Sequence, residues 1–486
     1  MSQLQLRLLS EQDVQRIVSE AYALLADPGV RIHDPEALDM LGQAGATVDR
    51  NARVARIPAA MVDQALRTVP HSFYLHDLQG RPAVHYGGDD VHFDPGSAAI
   101  YVLDHGSRHS RAPVTADLVA NFRLADVLSE LDAVSTALVP SDVPLEMSDL
   151  YRLYLALRLS SKPVITGAFA VETFAPMHEL LVVVAGSAQA LREKPRAVFD
   201  VCPSPPLLWS EITCRNMVDC ARAGVPAELV SMPLTGATGP ANLAGAVVQH
   251  AAESLSGVVI HQLAGPGAPI VWGGSPAAFD MRRGTPPMGA IETMMIDMTY
   301  AQVGKHLGLP THAYMGMSDA KIVDVQVGLE SALGTLLAAL GGVNMVSGAG
   351  MLDFESCQSL EKMVVDCEII AMTRRFLRGV DTSAASLGLE IIRQVGHRGN
   401  FMATQHTLQN FRREVYQPSP VIDRDFRQRW ENLGGHDAAF RAHERAQQLI
   451  ATHQAPALDA GLVAELERIA RAAGRPHGLE HLPLWE

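Results

Sequence analysis

The sequence predicts an α/β protein: a (β/α)8 TIM barrel with helical N- and C-terminal extensions. From about residue 133, short apolar runs rich in β-branched residues alternate with Gly/Pro/Ser/Asp turns and stretches of helical periodicity. This alternation indicates parallel strands, because each parallel connection needs a crossover. The 486 residues also exceed the roughly 250 that one barrel needs, which leaves room for extensions at both ends.

Seven runs are candidate strands. They are AVSTALVP (133–140), KPVITGAF (162–169), RAVFDVCP (196–203), AELVSMPLTG (227–236), APIVWGG (268–274), PTHAYMG (310–316) and GVNMVSG (342–348). A closed barrel requires an eighth strand, which either residues 91–104 or residues 383–395 would supply. An open doubly wound sheet is the alternative, although no GxGxxG follows any of these strands.

Three regions follow from this pattern. Residues 1–90 are predicted to form a helical extension, residues 91–395 the barrel core and residues 396–486 a second helical extension. In the first region Ser10 precedes a helical stretch and is expected to cap it. The polar helices of the last region are expected to flank or cap the barrel and to take part in a homo-oligomer.

Charge and composition argue against several partners. Lys+Arg number 39 against 53 Asp+Glu, a net charge of -14, so neither nucleic acid nor an anionic membrane is expected to bind.

The N-terminus has no basic segment followed by an apolar one, which predicts a cytoplasmic location. The uncharged stretches 256–279 and 331–352 are interrupted by glycines and are expected to be buried in the barrel. Five cysteines without a CxxC motif are expected to be free thiols.

The candidate site lies where the predicted strands end, because barrel enzymes place their catalytic residues there. This edge is rich in glycine, serine, threonine and aromatic residues and nearly lacks lysine and arginine. Such a composition favours a quaternary ammonium group bound by ring faces over a phosphate. Trp272 and Tyr314 end two strands, and Trp209, Phe279 and Phe354 lie in nearby loops. These rings would form a cation box, although aromatic residues at strand ends also commonly plug a barrel.

Single polar residues on apolar helices have structural explanations. His250 and His261 lie on one predicted helix and are expected to be hydrogen-bonded core residues. The chain has no HxH or HxC spacing, so no metal site is predicted. Glu253 and Glu330 must each be neutralised, hydrogen-bonded or functional, because an unpaired buried carboxylate is costly. For both we expect an anchor between a helix and a strand.

Four longer blocks resemble one known family. They are GVRIHDPEALDMLGQAGATVDRNARVARIPAAMVDQAL, PLTGATGPANLAGAVVQHAAESLSGVVIHQLAGPGAPIVWGG, YMGMSDAKIVDVQVGLESALGTLLAALGGVNMVSGAGMLDFESCQSLEKMVVDCEII and GHRGNFMATQHTLQNFRREVYQP. In this order they resemble the trimethylamine methyltransferase family, corrinoid-linked barrel enzymes that demethylate methylated amines. Its trimethylamine-specific members contain pyrrolysine, whereas this chain has an ordinary residue at every position. The resemblance therefore implies a quaternary amine substrate of the glycine betaine, proline betaine or carnitine type.

The resemblance also implies a mechanism: a methyl group on N⁺ passes to the cob(I)alamin of a separate corrinoid protein. No tightly bound cofactor is then expected in this chain. Trp272, Tyr314 and Phe354, with Trp209, are the rings expected to contact the ammonium group.

The block GMSDAK supplies further candidates. Asp319 and Glu330 are the expected catalytic residues, with Lys321 shaping the same mouth. Asp319 would add negative field near the cation or cap a loop. His397 and His406 would hold a substrate carboxylate or contact the partner protein.

Two other functions fit the sequence. The same demethylation would work with tetrahydrofolate as direct methyl acceptor, since the sequence barely separates the two acceptors. A non-catalytic amine-binding barrel is the second alternative, because no classical acid, base or nucleophile stands out.

Overall fold

The computed structural model describes residues 4–479 and 481–483. Its strands are β1 (Val30–Ile32), β2 (Thr47–Asp49), β3 (Val54–Arg56), β4 (Phe73–His76), β5 (Pro82–Tyr86), β6 (His92–Pro95), β7 (Tyr101–Leu103), β8 (Ser110–Arg111), β9 (Val134–Ser135), β10 (Val164–Thr166), β11 (Ala197–Val201), β12 (Leu208–Trp209), β13 (Ala227–Ser231), β14 (Ile270–Gly274), β15 (His312–Ala313), β16 (Met345–Ala349), β17 (Met351–Leu352) and β18 (Cys357–Gln358).

Helices make up most of the remaining regular structure. They are α1 (Glu11–Ala26), α2 (Pro35–Gln43), α3 (Ala59–Thr68), α4 (Thr115–Val127), α5 (Leu145–Leu159), α6 (Phe174–Ala185), α7 (Ala188–Glu193), α8 (Glu211–Ala223), α9 (Leu243–Ala264), α10 (Ile291–His306), α11 (Val325–Leu340), α12 (Leu360–Leu377), α13 (Ala384–Leu387), α14 (Leu389–Val395), α15 (Gln405–Glu414), α16 (Arg427–Asn432), α17 (Ala438–Thr452) and α18 (Ala460–Gly474). Three short 3₁₀ turns, Gly396–Arg398, Phe401–Ala403 and Arg475–His477, complete the set.

Parallel strands, each followed by a helix, form the centre of the molecule. One parallel sheet has the order β14-β13-β11-β10-β9 and a second has the order β15-β16-β6. Trp272 of β14 is bridged to Thr311 beside β15, and the Asp132 amide beside β9 donates to the Phe93 carbonyl of β6 at 2.8 Å. Across the described residues neither sheet reverses its strand order, as a doubly wound sheet does. The predicted α/β alternation is therefore confirmed.

The predicted strands are found where expected, although most are shorter than predicted. The seven candidates correspond to β9, β10, β11, β13, β14, β15 and β16, and β6 in residues 91–104 adds an eighth parallel strand. Residues 383–395, the other candidate for the eighth strand, form α13 and α14 instead. There the Ser383 side chain accepts a hydrogen bond from the Ser386 amide and so caps a helix.

Residues 1–90 contain five short strands in addition to the predicted helices. Ser10 does cap α1 by accepting from the Asp13 amide at 3.2 Å, and α2 and α3 form, but β1 to β5 lie between and after them. The β4-β5 hairpin packs against one end of the parallel strands. Its contacts join Leu75, Val84 and Tyr86 to Ala133, Ile165, Val198, Val271 and Met345. These strands have three to five residues, too few for a period of two to be evident in the sequence.

The helix α9 passes through the core. By length and composition it is the described helix that could cross a membrane, but 78% of its most apolar window is buried inside the protein. His250 Nε2 donates a hydrogen bond to the Gly273 carbonyl at 2.9 Å, and His261 Nδ1 accepts from the Gln262 side-chain amide at 3.0 Å. Burial lowers the pKa of His250 to about 4 and that of His261 to about 3. Both are neutral core residues, as predicted.

Two further expectations are confirmed. Glu253 links α9 to a strand and a loop, because it accepts from the Ser231 hydroxyl at 2.6 Å and the Leu207 amide at 2.9 Å. The five cysteines are free thiols. At the C-terminal end α17 and α18 pack onto the core through Ala442, Ala446 and Leu466.

A pair of glycine substitutions tests the packing of α9. In Gly257→Ala the new Cβ would lie 2.8 Å from both Leu229 and Trp209 side-chain atoms, and such overpacking costs roughly 1–3 kcal/mol of unfolding free energy. In the control Gly328→Ala on α11 the Cβ meets no atom within 4 Å, so helix propensity should raise stability by up to about 1 kcal/mol. Urea denaturation measures both changes. Equal effects of the two substitutions would contradict the packing described here.

Candidate active site

A cavity of about 440 Å³ opens where several parallel strands end. Its wall includes backbone and small side chains of the loops after β6, β10 and β11. The charged and aromatic residues that line it are Arg152, Phe169, Asp200, Tyr314, Phe354 and Glu355. The site is thus at the predicted edge of the parallel strands, opposite the β4-β5 hairpin.

Two carboxyl groups give one part of the cavity an acidic character. Asp200 accepts from the Tyr314 hydroxyl at 3.3 Å through Oδ2, and its Oδ1 has no hydrogen-bond partner among the described residues. The Ser97 amide donates to the Glu355 carboxylate. Burial, and then the neighbouring Glu228, raise the pKa of Asp200 well above its ordinary value. Burial, and then Asp200, do the same to the pKa of Glu355.

Arg152 gives the same cavity a positive group. It extends from α5, where Nη1 donates to the Thr136 carbonyl at 2.8 Å and Nε to the Ser148 carbonyl at 3.3 Å. Its guanidinium carbon lies 4.6 Å from the centre of the Phe169 ring. Burial lowers the pKa of Arg152 to about 10, so the group is charged at neutral pH. Within the described part of the chain, its buried Nη2 has no hydrogen-bond partner.

A strained turn carries two of the lining residues. Asp353, Phe354 and Glu355 have φ angles of 51°, 56° and 71°, a region that costs non-glycine residues roughly 1–3 kcal/mol each. Lys321 stabilises the turn, because its ammonium group lies 3.8 Å from the centre of the Phe354 ring and 3.0 Å from Asp353 Oδ1. Strain of this kind concentrates at functional sites, which supports the assignment of this cavity.

A chain of buried hydrogen bonds lies beneath the acidic part of the cavity. The Ser347 hydroxyl donates to Asp94 Oδ1, and His312 Nε2 contacts the same hydroxyl at 2.8 Å. Nε2 must therefore donate, which leaves Nδ1 of the neutral ring as an acceptor. Glu228 Oε1 is in direct contact with Nδ1, but the pair does not have the geometry of a hydrogen bond. Burial lowers the pKa of His312 to about 4 and raises that of Glu228 well above its ordinary value.

Of the rings predicted to contact a ligand, the structure brings Tyr314 and Phe354 into the cavity and leaves the others out. The described lining residues do not include Trp272, whose Nε1 donates to the Tyr300 carbonyl at 2.9 Å. Trp209 is also fully buried and donates to the Ser256 hydroxyl at 2.9 Å. Both tryptophans are core residues that pack between strands and helices, which corrects the prediction that they bind substrate.

Asp319 and Glu330, predicted to be catalytic, also lie outside the described cavity lining. Asp319 accepts from the Met288 and Gly289 amides, each at 2.9 Å, and burial raises its pKa to about 6. Glu330 accepts from the Ser318 hydroxyl at 2.6 Å and from the Asp319 amide at 2.8 Å. These contacts favour the loop-capping interpretation for Asp319 and an anchoring role for Glu330, which joins α11 to the loop after β15.

The two C-terminal histidines are far from this arrangement. His397 is exposed in a 3₁₀ turn, and His406 contacts the Asn410 side chain at 3.3 Å within α15. Neither belongs to the described lining of the cavity. The positive group that lines the cavity is Arg152, which a pattern of strand ends does not indicate because it lies on a helix. The available signal was a single arginine on the apolar face of DLYRLYLAL.

Comparisons with known proteins agree on one kind of enzyme. The family described as Trimethylamine methyltransferase (MTTB) matches residues 2–474. Trimethylamine methyltransferase MttB of Desulfitobacterium hafniense (strain DSM 10664 / DCB-2) is 28% identical over 470 residues, 97% of this chain and 94% of the relative. Glycine betaine methyltransferase of Desulfitobacterium hafniense (strain Y51) is 31% identical over 480 residues, 97% of this chain and 98% of the relative.

Solved structures support the fold. The crystal structure of the Methanosarcina barkeri monomethylamine methyltransferase (MtmB) has a TM-score of 0.55 at 11% identity and covers 93% of this chain and 90% of its own. The fold, the site and these relatives define the protein as a methyltransferase. More specifically, the chain belongs to the trimethylamine methyltransferase family. The resemblance seen in the sequence is confirmed, and the non-catalytic alternative is set aside.

The raised pKa of Glu355 predicts a pH-dependent stability difference. Because the folded protein holds this proton more tightly than the unfolded chain, wild-type stability should fall as pH rises from the unfolded pKa towards the folded one. Glu355→Gln removes that loss, so its stability relative to wild type should grow by up to about 1.4 kcal/mol per pH unit. Urea denaturation at pH 5 and pH 8 measures the difference. Glu172→Gln, at an exposed carboxylate, is the control and should show no such growth; a constant difference for Glu355→Gln would count against the burial of this group.

Proposed function

We propose that the protein demethylates a quaternary amine that also carries a carboxylate, of the glycine betaine, proline betaine or carnitine type. The observation that carries this proposal is that one cavity combines carboxyl groups and aromatic rings with a buried guanidinium group. Asp200 and Glu355 lie with the Tyr314 and Phe354 rings, and Arg152 has a buried donor without a described partner. The relative named glycine betaine methyltransferase supports the same substrate class.

The aromatic and acidic groups suit a methylated ammonium group. Ring faces attract such a cation by roughly 0.5–2 kcal/mol each, and methyl groups on nitrogen leave no N–H donor that would need an acceptor. One face of the Phe354 ring already lies against the Lys321 ammonium group, so this ring is placed where it can interact with a cation. The carboxyl groups then add negative charge as they ionise near the bound substrate.

Arg152 suits the substrate carboxylate. A guanidinium group offers donors in a planar fork that matches a carboxylate, and two of its nitrogens are already held by backbone carbonyls. These two bonds hold the guanidinium group in one orientation at the wall of the cavity, so little side-chain entropy is left to lose when the buried Nη2 gains a partner. Trimethylamine has no carboxylate for this group, which separates the proposed substrate from trimethylamine itself.

The proposed reaction is a displacement at a methyl carbon. The C–N bond breaks, its electron pair stays on nitrogen, and the amine leaves as a neutral tertiary amine. No proton moves in this step, so the reaction requires neither an acid nor a base. The residues of this chain hold the substrate in one orientation and leave the methyl group open to attack, which are contributions of position and electrostatics.

We infer that the methyl acceptor is the cob(I)alamin of a separate corrinoid protein, which supplies the nucleophile when the two proteins are in contact. Ile100 and Phe169 stand at the mouth of the cavity and are 52% and 46% exposed. Exposed apolar side chains around a reactive opening fit a surface that another protein covers. Tetrahydrofolate as direct acceptor is the alternative that the experiment below tests.

Several organisational features are part of the same proposal. The eight parallel strands β6, β9, β10, β11, β13, β14, β15 and β16 would close into one barrel over residues 91–395, with extensions at 1–90 and 396–486. The protein would be a cytoplasmic homo-oligomer. Exposed apolar side chains in the segment from α13 to α16 support a surface covered by a further chain; they are Leu387, Leu389, Ile392, Met402, Leu408 and Phe426.

Substrate selectivity tests the role of Arg152. Wild type should bind glycine betaine more tightly than choline, because a hydrogen bond to a charged group contributes roughly 1.5–3 kcal/mol, or about 10- to 100-fold. In Arg152→Met this ratio should fall towards one, and Arg152→Lys should retain part of it. Isothermal titration calorimetry measures both ligands on each protein. The control Arg158→Met, on the same helix, should keep the wild-type ratio; the same ratio in folded Arg152→Met would remove Arg152 from the site.

Methyl transfer tests substrate and acceptor together. With a reduced corrinoid protein, glycine betaine or one of its relatives should cause loss of cob(I)alamin absorbance, and trimethylamine should not. Phe354→Leu should lower kcat/KM about tenfold through the lost ring face, while Phe376→Leu, at an exposed ring on α12, should have no effect. Product formed with tetrahydrofolate in place of the corrinoid protein would overturn the proposed acceptor.

A further inference from the structure

Three potential metal ligands meet at the junction between α12 and the C-terminal helices. His105 follows β7, Glu361 lies in the first turn of α12 and His443 lies on α17. His443 Nδ1 is 2.8 Å and His105 Nδ1 is 3.5 Å from the same oxygen, Glu361 Oε1. One ligand atom from each residue lies within 4.8 Å of the other two. The chain thus brings two imidazoles and one carboxylate to a single point.

Contacts around Glu361 hold the three side chains close together. The two imidazole rings are stacked with centres 3.8 Å apart and an angle of 17° between planes, an arrangement in which two protonated rings would repel each other. The Ser359 hydroxyl donates to Glu361 Oε2 at 3.0 Å. Since this bond engages Oε2, Oε1 is left facing the two Nδ1 atoms, as an outer hydrogen bond orients a metal-binding carboxylate.

The surroundings provide space and shielding. The Glu361 side chain is only 8% exposed, and the two imidazoles are 32% and 25% exposed. A cavity of about 160 Å³ is lined by all three residues and by Asp117 and Gln358. An ion with one or more water ligands fits a space of this size.

We propose that His105, Glu361 and His443 bind a divalent transition metal ion of the Zn²⁺ type. Two nitrogen ligands and one oxygen ligand suit Zn²⁺, with water in the remaining position. Magnesium and calcium select oxygen ligands, so the two imidazoles argue against them. No short sequence spacing indicates this site, because its ligands come from residues 105, 361 and 443. The proposal replaces the sequence-based expectation that the chain has no metal site.

The position of the site assigns the ion a structural role rather than a part in methyl transfer. In the described residues, the methyltransferase cavity and this cluster share no lining residue. The three ligands join the loop after β7, α12 and α17, three segments far apart in the sequence. A bound ion would therefore hold the C-terminal helix α17 against the parallel-strand core, and binding to the folded state alone would stabilise it.

Calorimetry on the full-length, tag-free protein after chelator treatment tests the site, with Zn²⁺ as the probe. Wild type should bind one ion per chain saturably. His105→Gln and His443→Gln should each weaken binding by more than the roughly 10- to 100-fold that loss of an outer-shell partner costs. His109→Gln, at an exposed histidine in the same loop, should bind as wild type does.

Thermal unfolding gives an independent readout. Added Zn²⁺ should raise the Tm of wild type and of His109→Gln with increasing concentration, and should not raise that of the two site variants. Circular dichroism establishes that each variant is folded. Should His443→Gln fail to fold, Co²⁺ bound to wild type and to His105→Gln provides the comparison through its visible absorption. No saturable binding by wild type, or equal binding by wild type and a folded site variant, would overturn the proposal.

Discussion

The structure around the cavity has to accommodate carboxyl groups that are buried on the parallel strands. Asp200 and Glu228 are partners in the register of β11 and β13, and two such groups cannot both ionise cheaply in a medium of low polarity. Glu228 lies against His312, and His312 is hydrogen-bonded through the Ser347 hydroxyl to Asp94. The floor of the cavity is consequently acidic in composition, and burial raises the pKa values of Asp94, Asp200 and Glu228 well above their ordinary range.

The strained turn that lies above the floor of the cavity is held in place by contacts from a neighbouring loop. The turn at Asp353 to Glu355 would relax if it were free, because left-handed φ angles are unfavourable for all three of its residues. Lys321 holds its outer side, and Asp319 and Glu330 in turn fix the loop that carries Lys321. The carboxylates that the sequence suggested as catalytic thus act through the turn, which they keep in place to present Phe354 and Glu355.

The alternation of strands and helices was predictable from the sequence, because parallel connections leave a repeated pattern. The side of the sheet to which each strand residue points was not predictable. Val271 packs among the residues inside the strands, so Trp272 points to the helices and bonds to α10. His312 points inward, so Tyr314, two residues later, does so as well. Strands buried on both faces show no polar and apolar alternation. The sequence therefore indicated the edge of the sheet at which the cavity lies and two rings that line it, Tyr314 and Phe354, whereas Arg152 lies on a helix and not at a strand end.

The proposed reaction removes the positive charge of its substrate, and this explains the division of labour in the cavity. A pocket that stabilised the ammonium group strongly would bind the ground state better than the transition state and slow the transfer. Carboxyl groups with raised pKa values and ring faces attract the cation only moderately. In the proposed complex Arg152 would bind a carboxylate whose charge does not change during the reaction, so binding there would orient the methyl group without opposing its departure. In this proposal the substrate carboxylate supplies the binding energy and the ammonium group reacts. The cavity would then position the ammonium group without stabilising its positive charge so strongly that methyl transfer slows.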